Sequence, residues 1–319
     1  MKIVFLEANT LGTDISLTAF ESIGEVITYP LSDPAGNADR IKDADIIIVN
    51  KIPVNESLLK NADRVKLVCL TATGTNNVDF EYVKSRGITV ANVKGYSTDS
   101  VVQHTFALLF YLYEKLNYYD SFVKSGAYTK NDVFSHFIKE FHEISGKTWG
   151  IIGLGEIGRS VAAIAKAFGC NVIYYSTSGL NNNASFRRVS LDELLAESDI
   201  ISIHAPLNNA TNNLIGKREF SLMKKDGIIL NLGRGPIINQ EALAEALLSD
   251  EIGGAGLDVL TTEPMEPGNP LLAVQDSSKL IITPHIGWAT VEARRRCADE
   301  VLLNIKAWLN NEERNVVKQ

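Results

Sequence analysis

Three side chains in the C-terminal half have types and settings suited to one kind of chemistry. Arg234 stands between Gly233 and Gly235 just past the apolar run Ile228 to Asn231. Its guanidinium is a permanently charged fork that matches a carboxylate bidentately, and the flanking glycines admit a small anion close to the backbone. His285 follows the apolar run Leu280 to Thr283 and Pro284, and an imidazole titrates near neutrality, so it can give a proton to an oxyanion or take one from an alcohol. Glu263, before Pro264, can hydrogen-bond that imidazole and favour its charged form. An anion fork with a proton-exchanging pair suits interconversion of a carbonyl and an alcohol beside a carboxylate, given a hydride source. Taken singly, each residue has a plainer explanation: a strand-end ion pair, a loop acid, a hydrogen-bonded turn histidine.

Such groups need rigid edges to stand on, and the chain supplies a regular alternation. Runs at Ile3 to Leu6, Val26 to Thr28, Ile46 to Val49, Leu67 to Leu70 and Ile88 to Ala91 are separated by helical or turn-like segments. A second series runs through Trp149 to Ile152, Val172 to Tyr175, Ile200 to Ile203, Ile228 to Asn231, Ala255 to Val259 and Leu280 to Ile282. Alternation of this kind predicts parallel βαβ units, and runs apolar on both faces predict sheets covered by helices on two sides. Ser190 with Glu193 forms a capping-box pattern, and Asn239 precedes an Ala/Leu/Glu run, so both mark helix starts. Between the series, Asp99 to Lys124 is apolar almost all round, which predicts one long helix buried between domains or subunits.

The strand at Trp149 to Ile152 opens into Gly153, Gly155 and Gly158 and then a helix running to Phe168. In that setting the first glycine permits a tight turn and the second lets the backbone approach a pyrophosphate. The third packs helix on strand, and the first-turn N–H groups, at Glu156 and Ile157, face an anion. The pattern predicts a dinucleotide site. About 20 residues on, where an acid ordinarily takes the ribose hydroxyls, the chain reads Ser176-Thr177-Ser178-Gly179. Without that acid NAD and NADP are both open. Arg187 and Arg188 could fold back toward this position or serve as ordinary surface charge before the Ser190 cap.

The bulk properties fit an enzyme of two ordinary domains. The 319 residues are 45% hydrophobic and 22% charged, with a net charge of -7 and no basic stripe, which argues against nucleic acid. Cys69, Cys170 and Cys297 are odd in number and form no disulfide or metal-ligand pattern, so no metal site is expected. No apolar stretch approaches the roughly 20 residues that span a bilayer. The cytoplasm is the expected address, with no membrane partner.

Ordered blocks then add specificity: Gly-Leu-Gly-Glu-Ile-Gly158, Ser198 to Leu207, Asn231-Leu-Gly-Arg-Gly235, Gly256 to Leu260, Glu263-Pro264 and Thr283 to Trp288. On these the chain resembles the D-2-hydroxyacid dehydrogenase family over essentially its whole length, nearest the glycerate dehydrogenase or hydroxypyruvate reductase branch. The resemblance implies an α/β fold of two Rossmann-like doubly wound parallel sheets. A dinucleotide-binding domain, 99–286, would be inserted into a substrate domain made of 1–98 and 287–319. It implies Arg234, Glu263 and His285 as catalytic residues. Thr73 and Gly74 would bind the substrate carboxylate through backbone N–H groups, Asp258 the nicotinamide amide, and Ala205 and Pro206 the cofactor's edge, with Leu232 and Gly233 beside it. Trp288 would shape the substrate or subunit interface, or simply pack. The small-molecule partner would be a 2-keto or 2-hydroxy acid, and a homodimer through the dinucleotide domain is expected from the family.

Departures from the family pattern bear on detail. Gln103 stands where many relatives carry Glu, and Ser176 where many carry Asp. Hydroxypyruvate or glyoxylate is the expected keto acid. D-lactate dehydrogenase is the nearest enzymatic alternative, because one pocket methyl or hydroxyl shifts preference by only about 1–3 kcal/mol. An alternative of another class is a dinucleotide-sensing corepressor, against which stands the lack of long basic or low-complexity tails.

Overall fold

The computed structural model describes residues 1–318. The chain divides into two compact units, Met1–Ser97 with Ala289 onward, and Thr98–Trp288.

The first unit is built on β1 (Lys2–Phe5), β2 (Glu25–Thr28), β3 (Ile46–Val49), β4 (Leu67–Leu70) and β5 (Thr89–Ala91). They form a parallel sheet in the order β2-β1-β3-β4-β5. Every residue of β3 and β4 is buried, as β-branched and leucine side chains on both faces require. One face closes over Val4, Ile47, Val49, Val68, Leu58 and Val90. The C-terminal Val291–Leu309 helix packs against β4 in the same unit. Its buried stripe is Ala293, Cys297, Val301 and Ile305, at a spacing of four, and the Thr290 side chain caps it by accepting from Ala293 N–H. Leu302 is buried beside that stripe, and Trp308 near the helix end is half-buried. Beyond the helix, Val317 N–H donates to Val90 O at 2.9 Å, tying the chain end back to β5.

The second unit contains β6 (Thr148–Ile152), β7 (Asn171–Tyr175), β8 (Arg187–Arg188), β9 (Ile200–Ile203), β10 (Ile228–Asn231), β11 (Gly254–Leu257) and β12 (Leu280–Ile282). The order β12-β11-β10-β9-β6-β7-β8, again parallel throughout, reverses direction between β6 and β9. A reversal of this kind opens a crevice at the carboxyl ends of the strands, where ligands of such sheets bind. Both expected helix starts are present: Ser190 and Glu193 form a reciprocal capping box, and Asn239 accepts from Ala242 N–H.

One expectation is corrected. The long helix is two helices, Thr98–Tyr113 and Leu116–Lys124, broken where Lys115 takes a φ of 56°. Val101, Val102, Phe106, Leu108, Leu109 and Leu112 of the first are buried in the second unit's core, whereas the second helix buries no residue. The arginines at 187 and 188 form an edge strand on β7, in a segment with none of the apolar alternation that marks strands. The two compact units change over at Ser97/Thr98 and at Trp288/Ala289, beside the expected 98/99 and 286/287. Thr98 donates to Glu156 Oε1 at 2.9 Å. Gly287 is held by Asp258 and by Ser100, whose Oγ donates to Gly287 O at 2.6 Å, and Trp288 packs on the cluster around Trp149. These contacts make residues 287 and 288 part of the second unit. Among the described residues no helix is long and apolar enough to cross a membrane, and no group of three or more His, Cys, Asp or Glu side chains could hold a metal ion.

Candidate active site

The catalytic candidates stand at the carboxyl ends of β10, β11 and β12. His285 follows β12 with a φ of 55°, in the left-handed region, and its N–H donates to Thr283 O at 2.9 Å. A histidine in that conformation is uncommon enough to suggest a functional constraint. Its Nδ1 lies 2.7 Å from Glu263 Oε2. The ionised carboxylate only accepts, so Nδ1 carries the proton and Nε2 is the nitrogen left to exchange one. Glu263 is itself fixed, accepting from Leu260 N–H at 2.9 Å through Oε1. The side chains of His285 and Glu263 keep 25% and 35% of their exposure, so the pair is open to a small molecule.

Arg234 reaches the same strand edge by a different route. Asn231, 1% exposed, accepts from Gly233 N–H and donates to Arg234 O, so one buried amide staples the turn. Gly235 lies so close to the β11 loop that a Cβ there would stand 2.0 Å from Leu260 C. That contact ties the arginine's turn to the loop whose Leu260 N–H holds Glu263. The guanidinium donates to Gly233 O at 2.8 Å, and no carboxylate pairs with it among the described residues. A structural ion pair is thus not its role here, and the fork is available to an anion.

Asp258 holds the turn that carries His285. Asp258, 3% exposed, accepts from Thr283 Oγ1 at 2.7 Å, Ile286 N–H at 2.8 Å and Gly287 N–H at 2.8 Å. His104 Nε2 is 2.9 Å from Thr283 Oγ1 and 3.4 Å from Asp258 Oδ1. Because the threonine hydroxyl donates to Asp258, it accepts from His104. Burial alone would push the Asp258 carboxyl up, but the hydrogen bonds from His104, Thr283, Gly287 and Ile286 hold it below the ordinary carboxylate range. Both oxygens of Asp258 are engaged by the 283–287 turn, so the carboxylate fixes the turn that carries His285. His104 comes from a helix far away in sequence, and no local signal marks it.

At the β6/β9 crevice the glycine fingerprint has the expected shape. Gly153 has a φ of 92°, and a Cβ there would be 2.9 Å from Ala205 N, which brings the ends of β6 and β9 together. A Cβ on Gly158 would meet Gly153 O at 2.3 Å, while one on Gly155 would meet nothing within 4 Å. Gly155 caps the Glu156–Ala167 helix with no side-chain cap bond. The first-turn N–H groups, Glu156 and Ile157 included, therefore face open space next to Gly155, as a pyrophosphate requires. The Glu156 carboxylate itself accepts from Thr98, leaving backbone as that residue's contribution. Ala205 and Leu232 are 3% and 8% exposed, and a Cβ on Gly233 would lie 2.9 Å from Ala205 O, so these residues with Pro206 form one continuous rim. Gly153 N–H donates to Tyr175 O at 3.0 Å, setting the end of β7 beside the fingerprint. There Ser176, 3% exposed, has a buried Oγ without a hydrogen-bond partner, and Thr177 follows half-buried. An open, uncapped helix start with an orphaned hydroxyl at the ribose position fits a dinucleotide.

His204 is placed at the same rim, but both its ring nitrogens are buried without a partner, and burial pushes its imidazole down to about 3. It is neutral at physiological pH and supplies no proton.

In the first unit, Thr73 and Gly74 lie in the turn after β4. Thr73 Oγ1 donates to Val93 O at 2.8 Å, and its carbonyl accepts from Asn92 Nδ2 at 2.7 Å, fixing the turn from both sides. The neighbouring turn after β3 is organised by Glu7, 8% exposed, whose Oε1 accepts from the N–H groups of Asn50, Lys51 and Ile52. Sequence reasoning gave Glu7 no role. Trp288 packs against the second unit's core cluster.

Comparison with known proteins draws these features together. Residues 106–287 match the family model described as D-isomer specific 2-hydroxyacid dehydrogenase, NAD binding domain. The chain is 38% identical to the hydroxypyruvate reductase of Blautia hydrogenotrophica, with 100% of each covered. It is 35% identical to the glycerate dehydrogenase of Methylorubrum extorquens, with 99% of each covered. A crystal structure of D-lactate dehydrogenase from Aquifex aeolicus, complexed with NAD and lactic acid, is 28% identical, covers 98% of this chain and 96% of its own, and superposes with a TM-score of 0.83. This chain belongs to the D-isomer-specific 2-hydroxyacid dehydrogenases, oxidoreductases that act on CH–OH donors with a nicotinamide dinucleotide.

Proposed function

We propose that this chain interconverts a small 2-keto acid of the hydroxypyruvate and glyoxylate class with its D-2-hydroxy acid. The observation that carries the reading is the 2.7 Å Glu263–His285 pair beside an arginine that no carboxylate neutralises. The nicotinamide, when bound, supplies the hydride that reaches the keto carbon. Arg234 holds the substrate carboxylate and keto oxygen and polarises the carbonyl. His285 gives its Nε2 proton to the oxygen as negative charge develops there, and takes it back in the oxidative direction. Glu263 keeps the proton on Nδ1 and steers the ring. Backbone N–H groups at Thr73 and Gly74 serve the carboxylate, and Trp288 bounds the pocket. The unit Thr98–Trp288 is the dinucleotide-binding domain, with Met1–Ser97 and the C-terminal helix as the substrate domain.

The names of the two relatives favour hydroxypyruvate and D-glycerate; the D-lactate dehydrogenase neighbour keeps pyruvate as the second candidate. A panel of glyoxylate, hydroxypyruvate and pyruvate, each with NADH and with NADPH, tests the proposal. It fails if none is turned over, and the substrate assignment fails if pyruvate has the highest kcat/KM.

The working form is a homodimer made through the dinucleotide domain. The Leu116–Lys124 helix buries nothing, and in the following segment Phe134, Phe137 and Ile138 are 90%, 80% and 70% exposed. An exposed apolar run of that size calls for cover, and a second copy supplies it. The compartment is the reducing cytoplasm, supported by three buried, unpaired cysteines, of which Cys170 and Cys297 are pushed up by burial to about 11 and about 12.

A further inference from the structure

The end of β7 carries an arrangement that the hydride-transfer chemistry leaves unused. β8 adds to the sheet edge through Ile173↔Arg187 and Tyr174↔Arg188, and successive strand residues point to opposite faces. The two arginines therefore diverge. Arg187 is in an ion pair with Glu197. Arg188 has no carboxylate partner among the described residues, and its Nη2 lies 3.8 Å from where a Cβ on Gly179 would stand. The intervening loop is pinned by Tyr174, whose hydroxyl donates to Asn181 O and accepts from Asn183 N–H at 2.9 Å. Residues 176 to 190 contain two arginines and no acid. The buried Ser176 Oγ, unpartnered, sits next to the Gly153 turn through the Gly153 N–H to Tyr175 O bond.

We infer that Arg188, with the hydroxyls of Ser176 to Ser178, forms a receptor for the 2'-phosphate of the dinucleotide's adenosine, so that this chain prefers NADP(H) to NAD(H). The inference rests on the dinucleotide assignment of Gly153–Gly158 and deepens it. A phosphomonoester carries close to two negative charges and three acceptor oxygens at neutral pH. An unneutralised guanidinium and hydroxyl donors satisfy those oxygens, whereas the unphosphorylated ribose gains nothing from the cation. The usual device for the plain ribose, a carboxylate at the end of this strand, would repel the phosphate, and it is absent from the loop. The cation is thus supplied by a neighbouring edge strand, about a dozen residues further along the chain than Ser176.

Calorimetric titration of the full chain with adenosine 2',5'-bisphosphate and with ADP separates the possibilities without turnover. The parent should bind the 2',5'-bisphosphate at least tenfold more tightly than ADP, with the advantage shrinking as salt rises, on the order expected for one charge-assisted contact. Arg188→Gln should remove that advantage and leave ADP affinity unchanged; Arg187→Gln, whose guanidinium is already paired, should keep it. Ser176→Asp should reverse the order of the two ligands. Equal affinities in the parent, or an Arg188→Gln protein that keeps the preference, overturn the inference while the dinucleotide site stands. Failure of both ligands to bind overturns the site assignment and the inference with it.

Discussion

Asp258 offers the sharpest test of how the site is built. Replacing it with Ala removes the acceptor for two backbone N–H groups, Ile286 and Gly287, and for the Thr283 hydroxyl, which can turn elsewhere. Each orphaned buried donor costs about 1–3 kcal/mol, and breaking a buried charged network typically costs about 3–5 kcal/mol. The expected loss is therefore ~4 kcal/mol for Asp258→Ala. Asp258→Asn keeps one acceptor oxygen but turns an amide toward a donor, and should lose ~2 kcal/mol. Urea titration followed by tryptophan fluorescence reads this directly, since Trp149 and Trp288 lie in and against one core cluster of the same unit. Because the folded Asp258 carboxyl lies below its ordinary value of 3.8, its contribution is fully present above that value and is lost only as pH falls through the lower folded one. The gap between parent and variant should hold from about pH 8 to about pH 5 and close only in stronger acid. An Asp258→Ala protein within ~0.5 kcal/mol of the parent, with dinucleotide affinity lost instead, would refute the positioning role and leave a direct cofactor contact as the residue's part.

Other perturbations probe neighbouring links. His285→Ala should abolish keto-acid reduction while dinucleotide binding, measured by fluorescence titration, persists; retained turnover removes His285 from the mechanism. Glu263→Gln can turn an amide N–H toward His285 Nδ1 and loosen the ring, so kcat for keto-acid reduction should fall about tenfold or more with dinucleotide binding unchanged; an unaltered kcat excludes the pairing as functional. Gly235→Ala would press a Cβ against Leu260 backbone at 2.0 Å, which cannot swing aside, and should cost ~3 kcal/mol in denaturation while impairing turnover through the displaced Glu263 loop. Phe134→Asp with Phe137→Asp should yield monomers by light scattering, since each phenylalanine contributes roughly 1.5–3 kcal/mol on full burial; a dimer that survives places the subunit contact elsewhere.

The sequence by itself determined what depends on local sterics and period. Alternating apolar runs specified two parallel sheets, because a strand buried on both faces leaves no other pattern. The spacing of Gly153, Gly155 and Gly158 after a strand specified a dinucleotide turn, because a Cβ at the first or third glycine would strike backbone. Ser190 and Glu193 marked a helix start through bonds spanning three residues. Arg234, Glu263 and His285 were legible as candidates from residue type and block order.

What the tertiary structure decided is everything carried by contacts distant along the chain. That the turn carrying His285 is held by Asp258 and by His104, 179 residues before Thr283, follows from sheet order and helix docking. The break at Lys115 could not be read from a segment apolar on all sides, since only packing reveals that its second half finds no core. The same holds for the fingerprint's partner. Ser176 left the ribose end open in sequence, and pairing of β8 on β7 brought Arg188 beside Gly179. A strand of two arginines has no hydrophobic period to announce it, so its position, and the charge it delivers, existed only once the sheet was formed.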